Sequence, residues 1–374
     1  MLKKKFKNLI KRVSSCFFFL IYPKIKIKNN PYPINKFYKI NLIKLNNINY
    51  KVFKIKDGRV FTNAVDDAAY IFKNFLLPEP SYQYRNSINS HIKNNITLTN
   101  GTPSFIKNIE GNILSLLSGG AANNNYGHWL IDVLPRFYLF NKFYSIKKID
   151  FFLFPNCEFS YQKDTLKILG IEKKKIISSK DYRHIQTNNL FATSHPCNHH
   201  PERIPEWSIK FLRNTFLTKK NIRNNKYFPK KIYLDRDEVN LSSNNNIMEY
   251  KNYRLLLNEE EIKKYLHNIG FEIIKPQKLR FIDQVKLFSN AQIIVSLYGA
   301  GLSNIIFCRQ NTRIIEIKSI KAGNEFLKIS KLCRLRHVQI NLKPLFKSDV
   351  KQNGIMKCSV VKIQKALKTQ KQFN

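Results

Sequence analysis

The chain has 374 residues, 43% of them hydrophobic, with only 12 Gly and 14 Pro. That is enough material for two α/β domains, and it excludes a disordered, collagen-like or low-complexity chain. The formal charge is +40, yet only 15 of the 65 basic residues are Arg (65 − 15 = 50 Lys), and the Lys are spread along the whole chain with much Asn and Ile. AT-rich coding leaves that bias everywhere, whereas a nucleic-acid face concentrates Arg and Lys on one element, so no nucleic-acid partner is expected.

The N-terminus, MLKKKFKNLIKRVSSCFFFLIYPKIK, is basic and then aromatic. Its apolar run, Cys16–Tyr22, ends at Pro23 and Lys24 without a small-x-small cleavage site and falls far short of the roughly 20 residues that span a bilayer. Two readings stay open for residues 1–48: a segment on an anionic inner membrane face, or an arm that is disordered or docked on the core. The protein is therefore expected in the cytoplasm or peripherally on the inner membrane face. Six widely spaced Cys without a CxxC pair suit free thiols in a reducing compartment.

Residues 49–225 form a first lobe. Tyr50–Ile55, Asp57-Gly58, Val60–Asn63, Ile96–Leu98 and Asn112–Leu117 read as hairpins and edge strands. Ile149–Phe154 is a buried strand, Tyr161–Leu169 a helix stopped by Gly170, Asn189–Thr193 a strand, and Glu206–Phe216 an amphipathic helix that bridges two domains. Residues 226–345 alternate strand and helix, which implies a parallel sheet. Strands are expected at Lys231–Asp235, Phe271–Lys275, Gln292–Ser296 and Arg313–Ile317, with helices after the N-cap Asn258 and over Phe281–Ser289. Residues 346–374 read as a tail.

Four constellations could carry chemistry. On a helix turning about 100° per residue, His128, Asp132 and Arg136 fall in one stripe opposite Leu130, Val133, Leu134 and Phe137. A His and an acid so stacked could act as a general base on a hydroxyl, or else Asp132 and Arg136 pair internally while His128 packs. Gly299-Ala300-Gly301, with Ser303 and Asn304, follows a buried strand and suits a phosphate at a helix start, or is a tight turn without ligand. Arg236 sits just past a strand end, where ligands of open α/β sheets bind, and could fork onto a diphosphate or lie on the surface. Arg254, Glu259 and Glu316 raise the same question. His195-Pro-Cys-Asn-His-His200 lacks the second ligand pair of a structural zinc site and reads as a polar loop without metal.

Taken together these stretches resemble glycosyltransferase family 61, which includes bacterial capsular polysaccharide transferases and eukaryotic relatives. Asn125 to Arg136 is similar to its aromatic-x-His-Trp-x-x-Asp-x-x-Pro-Arg block. Tyr233 to Arg236, with Arg254 and Asn258-Glu259, resembles its second block, and Gly299 to Asn304, with Phe307 and Ile314 to Glu316, its third. The family usually has His where this chain has Tyr298, so Tyr298 substitutes by its hydroxyl, or donor choice differs, or activity is weakened. An Asn/Ser-rich stretch between 236 and 254 is expected to loop out.

The resemblance implies a GT-B-like α/β fold, two Rossmann-type lobes with a cleft between them. It implies an inverting, metal-independent enzyme without cofactor, taking a nucleotide-sugar donor and a glycan or glycolipid acceptor in surface polysaccharide synthesis. Asp132 and His128 would face the acceptor, either of them as the base, with Arg136 beside them. Arg236, Arg254, Glu259, Tyr298, Gly299, Ala300, Gly301, Ser303, Asn304 and Glu316 would serve the donor. The alternative is a non-catalytic glycan-binding or scaffold protein on the same fold.

Overall fold

The computed structural model describes residues 16–27, 38–64, 67–81, 92–117, 125–197, 203–222, 227–236, 253–346, 348–349 and 353–369. The Asn/Ser-rich stretch expected to loop out, His199 and His200, and the first fifteen residues of the basic arm lie outside them. The chain forms two compact units, Met1–Ser208 and Ile209–Asn374. The division falls inside the amphipathic helix Glu206–Phe216.

After strand β1 (Lys26–Ile27), apolar alternation produces a hairpin of β2 (Tyr38–Leu45) and β3 (Ile48–Ala64). Its turn residues, Asn46 and Asn47, both have positive φ, as a two-residue hairpin loop demands and as Asn tolerates. The first unit continues with β4 (Asp67–Phe72), β5 (Phe75–Leu76), β6 (Lys107–Ser115), β7 (Phe151–Phe154), β8 (Ile176–Ser178) and β9 (His184–Thr193). They join in the order β1-β5-β4-β3-β9-β6-β7-β8, with β2 on β3. The β9-β6-β7-β8 half is parallel, while β2, β3, β4 and β9 meet antiparallel. This unit is therefore a mixed sheet. Phe53, Ile55, Val60, Tyr70, Ile113, Leu153 and Leu190 are among the buried residues of its core.

Two local expectations fail here for physical reasons. Asp57-Gly58 is no turn: β3 runs through it, paired with β9 on both sides. Gly58 is needed for close packing, since a Cβ there would lie 2.8 Å from Ile55 and 2.9 Å from Leu190. Ile96–Leu98 is no strand: the Asn95 side chain accepts from the backbone N–H and hydroxyl of Thr97, which starts the short helix Thr97–Asn100.

The second unit is the simpler one. Strands β10 (Lys231–Leu234), β12 (Glu272–Ile274), β13 (Ile293–Leu297), β14 (Arg313–Ser319) and β15 (Arg336–Leu342) form an all-parallel sheet in the order β12-β10-β13-β14-β15. A pair, β11 (Arg254–Leu256) and β16 (Gly354–Met356), stands beside it in sequence but not in the sheet. Helices Glu259–Asn268, Phe281–Asn290 and Glu325–Leu332 alternate with the strands. The first ends at Gly270 (φ 84°), where the N–H groups of Gly270 and Phe271 return to the carbonyls of His267 and Leu266. Asn258, expected as its N-cap, makes no capping bond. Its amide donates instead to Glu261 and to the carbonyl of Cys358, which ties the chain's last segment to this helix. That segment contributes β16 and the helix Val360–Lys368, with Met356, Cys358, Ile363 and Ala366 in the unit's core.

Among the described residues no helix is long and apolar enough to cross a membrane. A helical turn over residues 16–21 exposes Phe17, Phe19, Leu20 and Ile21, with Leu20 at 88%, and Phe17 and Phe18 meet the exposed Phe105 edge-on.

Candidate functional site

In the first unit the Asn125 side chain accepts from the backbone N–H groups of Gly127 and His128 and starts a helix at Tyr126. The helix then widens to a π turn over Trp129–Val133 and resumes as Pro135–Asn141. Pro135 supplies a reason: it has no N–H to give to Ile131, and the ladder re-phases with Leu134 bonding to Trp129. The Ile131 carbonyl, deprived of that partner, faces the Cys197 thiol at 3.9 Å. Trp129 locks the turn by donating to Thr165 and packing on Phe154.

The expected stripe thus points inward. Asp132 and Arg136 are both 0% exposed, whereas the His128 side chain is 22% exposed. Arg136, expected to touch substrate, instead donates from Nε to the Asp132 carbonyl at 2.8 Å and braces the π turn. The Asp132 carboxylate is bonded through Oδ2 to His128 Nδ1, and His195 Nε2 stands 3.4 Å from its Oδ1. Burial alone would raise the Asp132 carboxyl. His195, His128 and Arg136 outweigh it and hold the group at about 2. An uncompensated buried carboxylate would cost several kcal/mol, so these partners are what allow it to be there.

His195 and Cys197, expected in a polar loop, do lie in the loop after β9, but both are buried against Asp132. Asp132, His195 and Cys197 bring three ligand-type atoms within 4.8 Å of one another. Burial and the neighbouring carboxylate push the Cys197 thiol well above its usual range, so it stays protonated at neutral pH. The backbone N–H of Cys197 donates to His195 Nδ1 at 3.2 Å. The one proton of the neutral ring therefore sits on Nε2, facing the carboxylate, where a metal would need a lone pair.

In the second unit, β12-β10-β13-β14-β15 is the doubly-wound 2-1-3-4-5 order, whose switch point lies between β10 and β13. The residues leaving the carboxyl ends of those two strands are Arg236 and Tyr298-Gly299-Ala300-Gly301. Arg236 donates from Nη1 to the Tyr298 carbonyl at 2.8 Å, and Arg254 does so at 3.3 Å with its guanidinium over the Tyr298 ring, 5.3 Å from the centroid. A Cβ at Gly299 would lie 3.0 Å from the Arg236 guanidinium, so glycine permits this approach; at Gly301 a Cβ would meet nothing within 4 Å. The turn runs into the 3-10 helix Ala300–Phe307, whose first N–H groups have no partner within the helix.

Several of the other expected donor residues face inward. The Tyr298 hydroxyl donates to Glu325, and burial together with Glu325 raises it far above the ordinary phenol range, so it is committed away from any phosphate. Ser303 and Asn304 are buried, and Asn304 donates to Gln284 at 2.9 Å, pinning the turn to the helix Phe281–Asn290. Glu259 belongs to a different network, accepting from the Tyr233 hydroxyl at 2.7 Å near Lys263 and Asp235. Glu316 lies within β14, where its Oε2 accepts from Gln339 and His337.

A carboxylate-braced histidine in one unit, and an arginine-flanked glycine turn at the switch point of an open parallel sheet in the other, are the equipment of an α/β glycosyltransferase. The chain belongs to glycosyltransferase family 61, whose model, described as Glycosyltransferase 61, matches residues 126–315. The match begins at the His128 helix and ends in β14, so both constellations fall inside it. Relatives include the EGF domain-specific O-linked N-acetylglucosamine transferases of Mus musculus, 25% identical over 91 residues (23% of this chain, 17% of that protein), and of Rattus norvegicus, 27% over 85 (21% and 16%). The matched stretch is about a sixth of those relatives' length.

Proposed function

We propose that this chain is an inverting glycosyltransferase, moving a sugar from a nucleotide-sugar donor to a hydroxyl of a glycan or glycolipid acceptor in surface polysaccharide assembly. The observation that carries the donor half is Arg236 and Arg254 converging on the Tyr298 carbonyl at the switch point. Resemblance to capsular transferases supports the polysaccharide setting. N-acetylglucosamine donors are the first to test, because the matched relatives are named for that sugar.

In the proposed reaction His128 Nε2 takes the proton of the acceptor hydroxyl as its oxygen attacks the anomeric carbon. The bond from that carbon to the diphosphate oxygen breaks from the opposite face, and its electron pair leaves with the nucleotide. Arg236, Arg254 and the first N–H groups of the Ala300 helix meet the developing charge, the role a cation would otherwise take. Asp132 is fully buried and held at about 2, so it neither reaches a hydroxyl nor accepts its proton readily. It orients His128 and stabilises the imidazolium.

Thermal shift against UDP, GDP, CMP, dTDP and their sugars, with EDTA present, tests the donor site. A selective rise of several degrees for one nucleotide is expected; no shift with any of them would remove the site. Asp132→Asn tests the orienting role. An amide nitrogen in place of Oδ2 would turn the His128 ring to its other tautomer and put the proton on the catalytic nitrogen. Transfer should fall roughly 10³- to 10⁴-fold with donor affinity within about twofold of wild type, read by steady-state kinetics and titration. Full activity would take Asp132 out of the mechanism.

We also propose peripheral contact with anionic membrane through the exposed Phe17, Leu20 and Phe105 face, flanked by exposed Lys24, Lys26 and Lys107. The protein should co-sediment with phosphatidylglycerol vesicles, less at high salt, and Phe17→Glu/Leu20→Glu should lose about tenfold in binding. Equal binding of the variant would contradict it.

A further inference from the structure

We infer that His195 is a positioning residue of the base, clamping the Asp132 carboxylate from the oxygen that His128 does not use. The inference rests on the reading of His128 as base, though its decisive measurement does not.

The geometry is one of fixed proton directions. His195 lies just past β9, with a side chain 2% exposed, and its Nδ1 accepts the Cys197 N–H at 3.2 Å. A nitrogen that accepts carries no proton, so the neutral ring bears its proton on Nε2, 3.4 Å from Asp132 Oδ1. Protonating the ring would set two N–H groups against each other at Cys197, so this arrangement favours the neutral ring, with its Nε2–H turned toward Oδ1. Asp132 Oδ2 is bonded to His128 Nδ1. With a histidine beside each oxygen, rotation of the carboxylate about its last torsion would break the Oδ2 bond and open the Oδ1 contact. The plane of the carboxylate fixes the plane of the His128 ring, and with it the aim of Nε2.

The surrounding charges agree. The groups acting on Asp132 are His128 and Arg136 from its own helix and His195 and Cys197 from the loop after β9, with Tyr70 of β4 acting on Arg136. Arg136 holds the Asp132 carbonyl, and the Cys197 thiol is uncharged. Beside the Cys197 thiol, which also bonds the carboxylate, His195 Nε2 is the group that faces Oδ1, at 3.4 Å. By sharing the carboxylate's charge it also keeps His128 from being paired too tightly to act as a base near neutral pH.

Two measurements test this. In the wild-type protein with 15N-labelled histidine, the His195 resonance, assigned by its absence in His195→Gln, should show the Nε2–H tautomer and no protonation across about pH 5 to 9. The opposite tautomer, a titrating ring, or one equivalent of bound zinc by elemental analysis would overturn the inference, since a ligating Nε2 bears no proton. This needs no substrate and so stands apart from the transferase reading. In kinetics, His195→Leu should lower kcat about 10- to 100-fold with donor KM unchanged, the range typical of removing a residue that orients a catalytic ligand. The acid limb of the pH profile should move to higher pH, because an unshared carboxylate holds the His128 proton longer. His195→Gln, whose amide can still donate to Oδ1, should recover most of kcat. A lower Tm with wild-type kcat and an unmoved limb would reduce His195 to packing. If the leucine variant does not fold, the tautomer and the glutamine variant decide.

Discussion

His128→Ala is expected to lower kcat/KM for transfer by roughly 10²- to 10⁴-fold, the range that a positioned general base contributes, while donor affinity stays within about twofold. The split between turnover and binding distinguishes a base from a residue that merely supports the fold. Because the His128 side chain is partly exposed and its helix is started by Asn125, the variant should keep its fold. The pH profile sharpens the test. Asp132 has a folded pKa depressed to about 2, so its contribution to stability is fully present above the unfolded carboxylate value near about 4 and is lost only as pH falls through about 2. Between about pH 5 and 9 that contribution is constant. An acid limb of activity in that window therefore reports protonation of the histidine base rather than Asp132 or unfolding, and His128→Ala should abolish it.

Arg236→Ala is the second large effect. The guanidinium is held by the Tyr298 carbonyl beside a glycine that leaves it room, so it needs little reorganisation to meet a diphosphate. Nucleotide affinity should fall about tenfold or more and kcat a further 10²- to 10³-fold, the loss typical of one preorganised donor at a developing anion. Arg236→Lys should recover only part of this, since an ammonium keeps the charge but not the fork. Titration calorimetry with the nucleotide and steady-state kinetics read the two losses separately. Unchanged affinity in Arg236→Ala would undo the phosphate role.

What the sequence revealed and what it hid follow from the range of the forces involved. The parallel sheet of the second unit was legible because continuous apolar runs such as Gln292–Ser296 alternate with amphipathic helices, the first of them stopped at Gly270. The Gly299 turn was legible because glycines after a strand have few other uses. The stripe of His128, Asp132 and Arg136 was found by helical periodicity, but its direction was not. A wheel cannot say that the polar side faces inward, and the π turn shifts the phase that the wheel assumes. Pro135 was the available signal for that shift.

The burial of His195 and Cys197 against Asp132 was hidden because that partner is 63 and 65 residues earlier in the chain, and short-range spacing carries no information about it. Only the pairing of β9 between β3 and β6 brings that loop to the helix. Of the three alternatives open for Tyr298, a hydroxyl offered to the donor is the one its contacts disfavour. Glu325, on a later helix, takes that hydroxyl, and the backbone carbonyl of the same residue proves to be what organises both arginines.

The most direct test of the account is nucleotide release from a panel of nucleotide sugars, with water or a simple sugar as acceptor and EDTA present, for wild type and His128→Ala side by side. The account predicts slow release from one donor class by the wild type, a sugar of inverted anomeric configuration by NMR, and loss of release in the variant although it binds the same nucleotide. Wild-type protein that binds a nucleotide sugar but never cleaves it would contradict the enzyme reading and favour a glycan-binding role. Equal release by the two proteins would contradict the base assignment.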